Sequence, residues 1–199
     1  MEEIRQRSFS ITAEPSKFHL FMNQLASEGR LLRHYTQNVD CLERLLPALE
    51  ERTVRLHGQV DQARCTRCGW VGRVTPFQQQ LPCGGTCFER KLSREKQGKR
   101  PIGMGTLRPD ILLYGEDNPN EDAIFRHAKQ DLCASPDLVL VVGTQLKVPG
   151  ARSLARQFCE VAKKSGGTNV WLNKKQIPNL TAFQFVLMED CDHFATKYS

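Results

Sequence analysis

No run of apolar residues in the 199-residue chain approaches a transmembrane length, which excludes a helical membrane span. The N-terminal stretch from Met1 to Arg7 has no apolar core of the kind a signal peptide needs, so the expected compartment is intracellular and reducing. Aromatic residues are sparse at 8%, and none interleaves with the densest basic stretch, so a base-stacking surface is not indicated. That stretch carries Arg90, Lys91, Arg94, Lys96, Lys99 and Arg100 against Glu89 and Glu95, and it holds much of the net charge of +6. Such a run can contact nucleic acid or serve as a nuclear import signal, and it can equally be a solvated loop. A phosphate-cradling glycine loop is also missing: Gly103-Met104-Gly105 neither follows a clear strand nor opens a helix, and reads as a linker.

What the chain does hold is concentrated between Tyr35 and Cys68. Gln37, Asn38 and Asp40 form a polar cluster just after the strand-like Leu31-Leu32, and side chains at the carboxyl end of a strand in an open α/β sheet face the ligand crevice. His57 follows the β-prone Thr53–Leu56 and precedes Gly58; imidazole is the side chain most often used to move protons near neutral pH. Cys65 and Cys68 pair with Cys83 and Cys87 in a C-x2-C, x14, C-x3-C arrangement. Two close thiol pairs joined by a loop supply the four tetrahedral ligands of zinc. Four unrelated buried thiols or two disulfides are the alternatives, and paired spacing without a secretory signal favours metal. No histidine or fifth cysteine lies near the pairs to suggest an open coordination position, so the metal reads as structural. Cys41, Cys133, Cys159 and Cys191 fall outside the pattern and read as buried or idle thiols.

Along the chain, residues 1–14 show no clear period and are expected to be poorly ordered. Ser16 is placed to cap a helix through Glu28 with Phe18, Phe21, Met22 and Leu25 as its apolar stripe; His19 has no evident partner. A strand over Leu31–Tyr35, a helix over Cys41–Leu49 capped by Asp40, and a strand over Thr53–Leu56 follow. From about Val60 to Gly105, Pro, Gly, Cys and basic residues dominate and no long amphipathic segment appears. The expected later elements are a strand over Ile111–Tyr114, a helix over Asn120–Leu132, a strand over Leu138–Val142, a helix over Gly150–Lys164, and strands over Val170–Leu172 and Phe183–Met188. Leu138–Val142 is continuous and β-branched, the mark of a strand buried on both faces. Gly143-Thr144-Gln145 after it is a small-residue turn suited to a phosphate or ribose. The alternation predicts an α/β fold, a doubly wound parallel sheet with a small zinc-binding insert. Residues 1–59 and 106–199 form its two parts and residues 60–105 the insert.

These residues together resemble the sirtuins, NAD-dependent protein-lysine deacylases. The resemblance runs from Pro15 onward through Thr36-Gln37-Asn38-Val39-Asp40, His57-Gly58, the four paired cysteines, Arg108-Pro109-Asp110 with Tyr114-Gly115-Glu116, Gly143-Thr144-Gln145-Leu146, Leu172-Asn173 and Cys191-Asp192. Residues 107–117 and 146–151 look closest to the fungal nuclear subgroup that deacetylates histone H3. The resemblance implies a Rossmann-like NAD-binding fold and a nuclear site of action. It implies that His57 is the general base on a ribose hydroxyl of NAD, and that Gln37, Asn38 and Asp40 line the nicotinamide and ribose pocket. Gly143, Thr144, Asn173 and Lys174 would hold phosphate and adenosine ribose, and Cys191 and Asp192 would lie beside the adenine. Leu112, Tyr114, Gly115, Glu116 and Val148 would flank an acetylated histone peptide docked as a strand.

Two departures from the family pattern bear on activity. Gln145 stands where the family has serine, and must turn away or crowd the cofactor. The family also opens with a strand, a Gly-Ala-Gly turn and a Gly-Ile-Pro-Asp-Phe-Arg segment, and nothing similar precedes Pro15. The chain therefore reads as an N-terminally truncated Rossmann-like domain with an expected loss of turnover. The alternative function is a non-catalytic, zinc-bearing peptide- or chromatin-binding module. A zinc-ribbon nucleic-acid binder rests on the basic run alone.

Overall fold

A computed structural model describes residues 14–73, 81–113, 115–175 and 183–199. The expectations for residues 1–13 and for Tyr114 lie outside the described residues.

Helix α1 spans Lys17–Ser27 and buries Phe18 and Met22 of the expected stripe together with Ala26, while Phe21 and Leu25 are half-buried. The His19 imidazole is not idle. Its Nδ1 lies 3.0 Å from the Ser16 hydroxyl and accepts from the Ser16 amide at 3.3 Å, closing the first turn. Strand β1 is His34–Thr36. The helix expected over Cys41–Leu49 does not form. Proline inside a helix lacks its N–H and clashes with the preceding turn. Pro47 therefore splits the segment into a 3-10 turn at Leu42–Leu45 and helix α2, Pro47–Arg52, in which proline takes the first position. Asp40 consequently lies well ahead of the α-helix it was expected to cap.

Strand β2 is Thr53–Arg55 and strand β3 is Gly58–Cys65. Strand β4, Val71–Arg73, and helix α3, Thr86–Lys96, follow. The basic run was read as a possible loop; its first part is the body of α3, with Arg94 and Lys96 in the last turn, where they favour the negative helix end. Strand β5, Leu107–Ile111, starts earlier than expected; Leu107 also donates to the Leu81 carbonyl at 3.0 Å, and beyond it β5 pairs with β3 alone among the described strands, which accommodates Pro109. Helix α4 is Glu121–Cys133, strand β6 Leu138–Val142, helix α5 Pro149–Lys164, strand β7 Thr168–Leu172 and strand β8 Phe185–Leu187. A last helix, α6, spans Cys191–Tyr198 where the sequence reading had only a strand-end loop.

The chain divides into two compact units. In one, Asn38–Cys41 joins His57–Asn118. Its sheet is antiparallel in the order β4-β3-β5, so the strand expected to resume the α/β alternation instead pairs with β3, Cys65 opposite Leu107. Its core is built on Ala63, Cys65, Cys83, Cys87 and Leu107, with Trp70 and Met104 against them.

The other unit holds Glu14–Gln37, Leu42–Leu56 and Pro119–Ser199. Its described strands form two parallel ladders, β1-β2 and β6-β7-β8. Register runs Tyr35 to Val54 in the first, and Leu140 to Val170 to Phe185 in the second. Parallel neighbours need a crossover, supplied by α2 between β1 and β2 and by α5 between β6 and β7. Phe18, Met22, Leu46, Leu49, Leu172 and Ala195 form its core, joined by Leu140 and Val142 of β6. β6 is not buried on both faces as its composition predicted. It is half-buried, with Leu138 exposed, because it pairs with β7 alone among the described residues.

Candidate active site and metal centre

The four paired cysteines come together. Their sulfurs lie within 4.8 Å of one another, with Cys65–Cys87 and Cys68–Cys83 each at 3.8 Å. A zinc–sulfur bond of about 2.3 Å gives a tetrahedron with an edge of about 3.8 Å, so the spacing fits a four-thiolate zinc. Backbone amides of Arg67 and Cys68 point at the Cys65 sulfur at 3.4 and 3.5 Å. The Trp70 amide, then the neighbouring thiols, hold the Cys68 thiol down at about 6. Cys87 is pushed up to about 11: the Gly105 amide works downward, but burial and the adjacent sulfurs outweigh it. Four thiols this close cannot all ionise by themselves, and a dication removes that repulsion. Gly105 was read as a linker; its backbone in fact abuts this centre, and a Cβ there would stand 2.5 Å from the Cys65 sulfur. Nothing in the sequence pattern marks it.

In the same unit, His57 sits at the mouth of β3. Its carbonyl accepts the Leu112 amide at 2.9 Å, which continues the β3–β5 ladder one step and fixes His57 opposite a proposed peptide contact. Gly58 is at φ +79, and any Cβ would overlap the Asp110 carbonyl, so only glycine lets the two strands close here. Part of the Arg108–Glu116 motif is tied to itself. Glu116 takes both arms of Arg108 at 2.6 and 2.9 Å and the Leu113 amide at 3.2 Å, and Asp110 takes the Arg64 Nε at 2.7 Å. The Arg108 guanidinium holds the Glu116 carboxyl below its ordinary value. Gly115 is exposed and Leu112 half-buried. Asn38 is exposed and Asp40 half-buried, both beside β3, where the Val60 amide donates to the Val39 carbonyl at 3.0 Å.

In the other unit, polar groups gather at the carboxyl ends of parallel strands. Gln37 follows β1, Gly143-Thr144 follows β6 and Asn173 follows β7. Thr144 is the hub: its Oγ1 accepts from Gln37 Nε2 at 2.9 Å, and its carbonyl accepts from Asn173 Nδ2 at 2.8 Å. Gly143 is exposed at φ +64 with open space where a Cβ would be, so a ligand can approach its backbone directly. Gln145 is exposed. Val148 precedes the first turn of α5. Lys174 pairs with Asp190 at 2.6 Å, which raises the lysine and lowers the carboxyl. Asp190 also caps α6 through the Asp192 and His193 amides. Cys191 packs against the core, and burial pushes its thiol up. Asp192 accepts the Phe18 amide at 2.8 Å, joining α6 to the start of α1.

A family model described as the Sir2 family matches residues 1–150. The chain is 34% identical to the NAD-dependent histone deacetylase HST4 of Saccharomyces cerevisiae, over 92% of this chain and 56% of that protein. It is 36% identical to the NAD-dependent protein deacetylase hst4 of Schizosaccharomyces pombe, over 82% of this chain and 43% of that protein. The chain thus spans about half the length of these curated relatives. Among solved structures, a Sir2 complex with a p53 peptide and NAD+ is 25% identical, covering 94% of this chain and 70% of that one with a TM-score of 0.67. A Sir2 homologue bound to NAD superimposes with a TM-score of 0.71 at 23% identity, covering 99% and 66%, and shows a shared Rossmann-like fold.

Proposed function

This chain belongs to the Sir2 family, and on that premise we propose that it serves an NAD-dependent protein-lysine deacetylase acting on histone in the nucleus. The carrying observation is the Thr144 hub, which gathers Gln37, Gly143 and Asn173 at the ends of parallel strands, where such folds receive nucleotides. NAD, when bound, supplies the ADP-ribose that takes the acetyl group as nicotinamide leaves. Gln37, Asn38 and Asp40 face the nicotinamide and its ribose. Gly143, Thr144, Asn173 and Lys174 hold phosphate and adenosine ribose, with Cys191 and Asp192 toward the adenine. His57 takes the proton from a ribose hydroxyl. Its ladder bond to Leu112 supports that role, because base and peptide contacts are then set by one strand pairing.

Leu112, Tyr114, Gly115, Glu116 and Val148 receive the acetyl-lysine peptide. Cys65, Cys68, Cys83 and Cys87 hold a structural zinc. In the proposed division of the chain, residues 1–59 and 106–199 serve the cofactor and residues 60–105 are the zinc insert. The exposed Arg90, Lys96, Lys99 and Arg100 add a weak contact to nucleic acid. No helix among the described residues is long and apolar enough to cross a membrane.

The test is turnover of an acetylated histone peptide with NAD, read as nicotinamide release and O-acetyl-ADP-ribose formation. His57→Ala is expected to lower kcat by about 10²–10⁴-fold, the range of a positioned general base. No nicotinamide release from a chain given a Gly-Ala-Gly segment ahead of Pro15, or a His57→Ala variant as fast as its parent, would sink the reading.

A further inference from the structure

Four residues, Asn38–Cys41, leave the unit of their sequence neighbours and join β3, while Gln37 before them and Leu42 after them belong to the other unit. Val39 and Cys41 both contact that strand. Val39 accepts the Val60 amide at 3.0 Å. The Cys41 sulfur lies 3.3 Å from Asp61 Oδ1 and 3.4 Å from the Val39 carbonyl, so its one thiol proton faces both acceptors. Cys41 is 8% exposed and sits at φ +63, a left-handed backbone that a side-chain-bearing residue seldom adopts. A conformation of that kind persists only where surrounding contacts hold it. Here the turn sends the chain back toward Leu42, and the thiol clasps the turn to β3.

We propose that Cys41 is a positioning residue: its left-handed turn and its thiol contact with Asp61 clip the segment that carries Asn38 and Asp40 to β3. Val39 and Cys41 flank Asp40 and follow Asn38, so holding them against β3 helps to set where Asn38 and Asp40 stand. The cofactor part of the inference rests on the reading of Asn38 and Asp40 given above.

The experiment has two arms, both on the whole chain. In amide hydrogen exchange, Cys41→Ala is expected to speed exchange at Val60 and across Asn38–Cys41, leaving Cys65 and Leu107 as in the parent. Cys41→Ser keeps an O–H donor for Asp61 and is expected to restore protection. In kinetics, Cys41→Ala is expected to raise the KM for NAD by about two- to tenfold, the range of one lost hydrogen bond, with the peptide KM unchanged. Asp61→Ala should raise it as well, and the double variant should fall short of the sum of the two, because they share one contact. Unchanged Val60 protection in Cys41→Ala, or an NAD KM within twofold of the parent's, overturns the proposal. If the parent chain shows no NAD turnover, the kinetic arm moves to a chain given a Gly-Ala-Gly segment ahead of Pro15, whose own inactivity would overturn the functional reading, and the exchange arm decides the clip by itself.

Discussion

Asp131 shows how one side chain can organise a unit without touching its site. It is 3% exposed, takes both arms of Arg33 at 2.9 and 3.0 Å and accepts the Tyr35 hydroxyl at 2.6 Å, tying α4 to the start of β1. Burial pushes its carboxyl up, but Arg33 and Tyr35 outweigh burial, and it lies below the ordinary 3.8. A carboxyl depressed on folding contributes stability that is complete above the unfolded value and fades as pH falls through the folded one. Asp131→Ala, which strands a half-buried guanidinium, is expected to cost about 3–5 kcal/mol in urea unfolding at pH 7. The gap between parent and variant should narrow below pH 3.8. Gly58 is a second single-residue constraint. Gly58→Ala meets both the positive φ and the Asp110 carbonyl, and is expected to lose about 1–3 kcal/mol or more to backbone strain. A thermal midpoint equal to the parent's would refute that.

At the scale of elements, the metal centre and the hydrophobic core of its unit are one object. Cys65, Cys83 and Cys87 are core residues as well as ligands, and few apolar side chains stand beside them. Folding there is expected to depend on metal, because ligand bonds replace the apolar area that so small a core lacks. Cys65→Ser should lose zinc by elemental analysis and lose the slow exchange of β3 and β5 amides, while α1 and β7 keep theirs. Zinc retained at one equivalent would contradict this. Helix α6 depends on a cap instead. Asp190 accepts from Asp192 and His193 at 2.8 and 3.1 Å, so Asp190→Ala is expected to cost about 1 kcal/mol. Equal denaturation midpoints for parent and variant would show that the cap contributes nothing.

At the scale of the whole molecule, one stretch of the metal-bearing unit concentrates exposed positive charge. Arg90, Lys96, Lys99 and Arg100 are exposed, whereas Arg33, Arg55 and Arg64 are spent on internal carboxylates. Affinity for short duplex DNA is therefore expected to be weak and to fall with salt at about −0.9 log units per phosphate neutralised. Changing the four exposed residues to Gln should flatten that slope; an unchanged slope places the contact elsewhere. Much of this architecture is legible in the chain because it depends on local rules. Leu138–Val142 reads as a strand from its composition, α1 from its apolar stripe, and the zinc site from its spacing. Gln37, Gly143, Thr144 and Asn173 are legible as strand-end residues because a parallel strand must present its carboxyl end to a ligand. Tertiary structure alone decided the rest. β5 pairs antiparallel with β3 and β6 lies at a ladder end among the described residues, whereas the break at Pro47 follows a local rule that the periodicity reading passed over. Asp192 and Gly105 draw their roles from neighbours far along the chain, Phe18 and the Cys65 sulfur. The reason is physical: periodicity and spacing report energies between residues close in sequence. The pairing of strand edges, the burial of a face and the partner of a carboxylate are set by contacts that exist only after the chain has closed on itself.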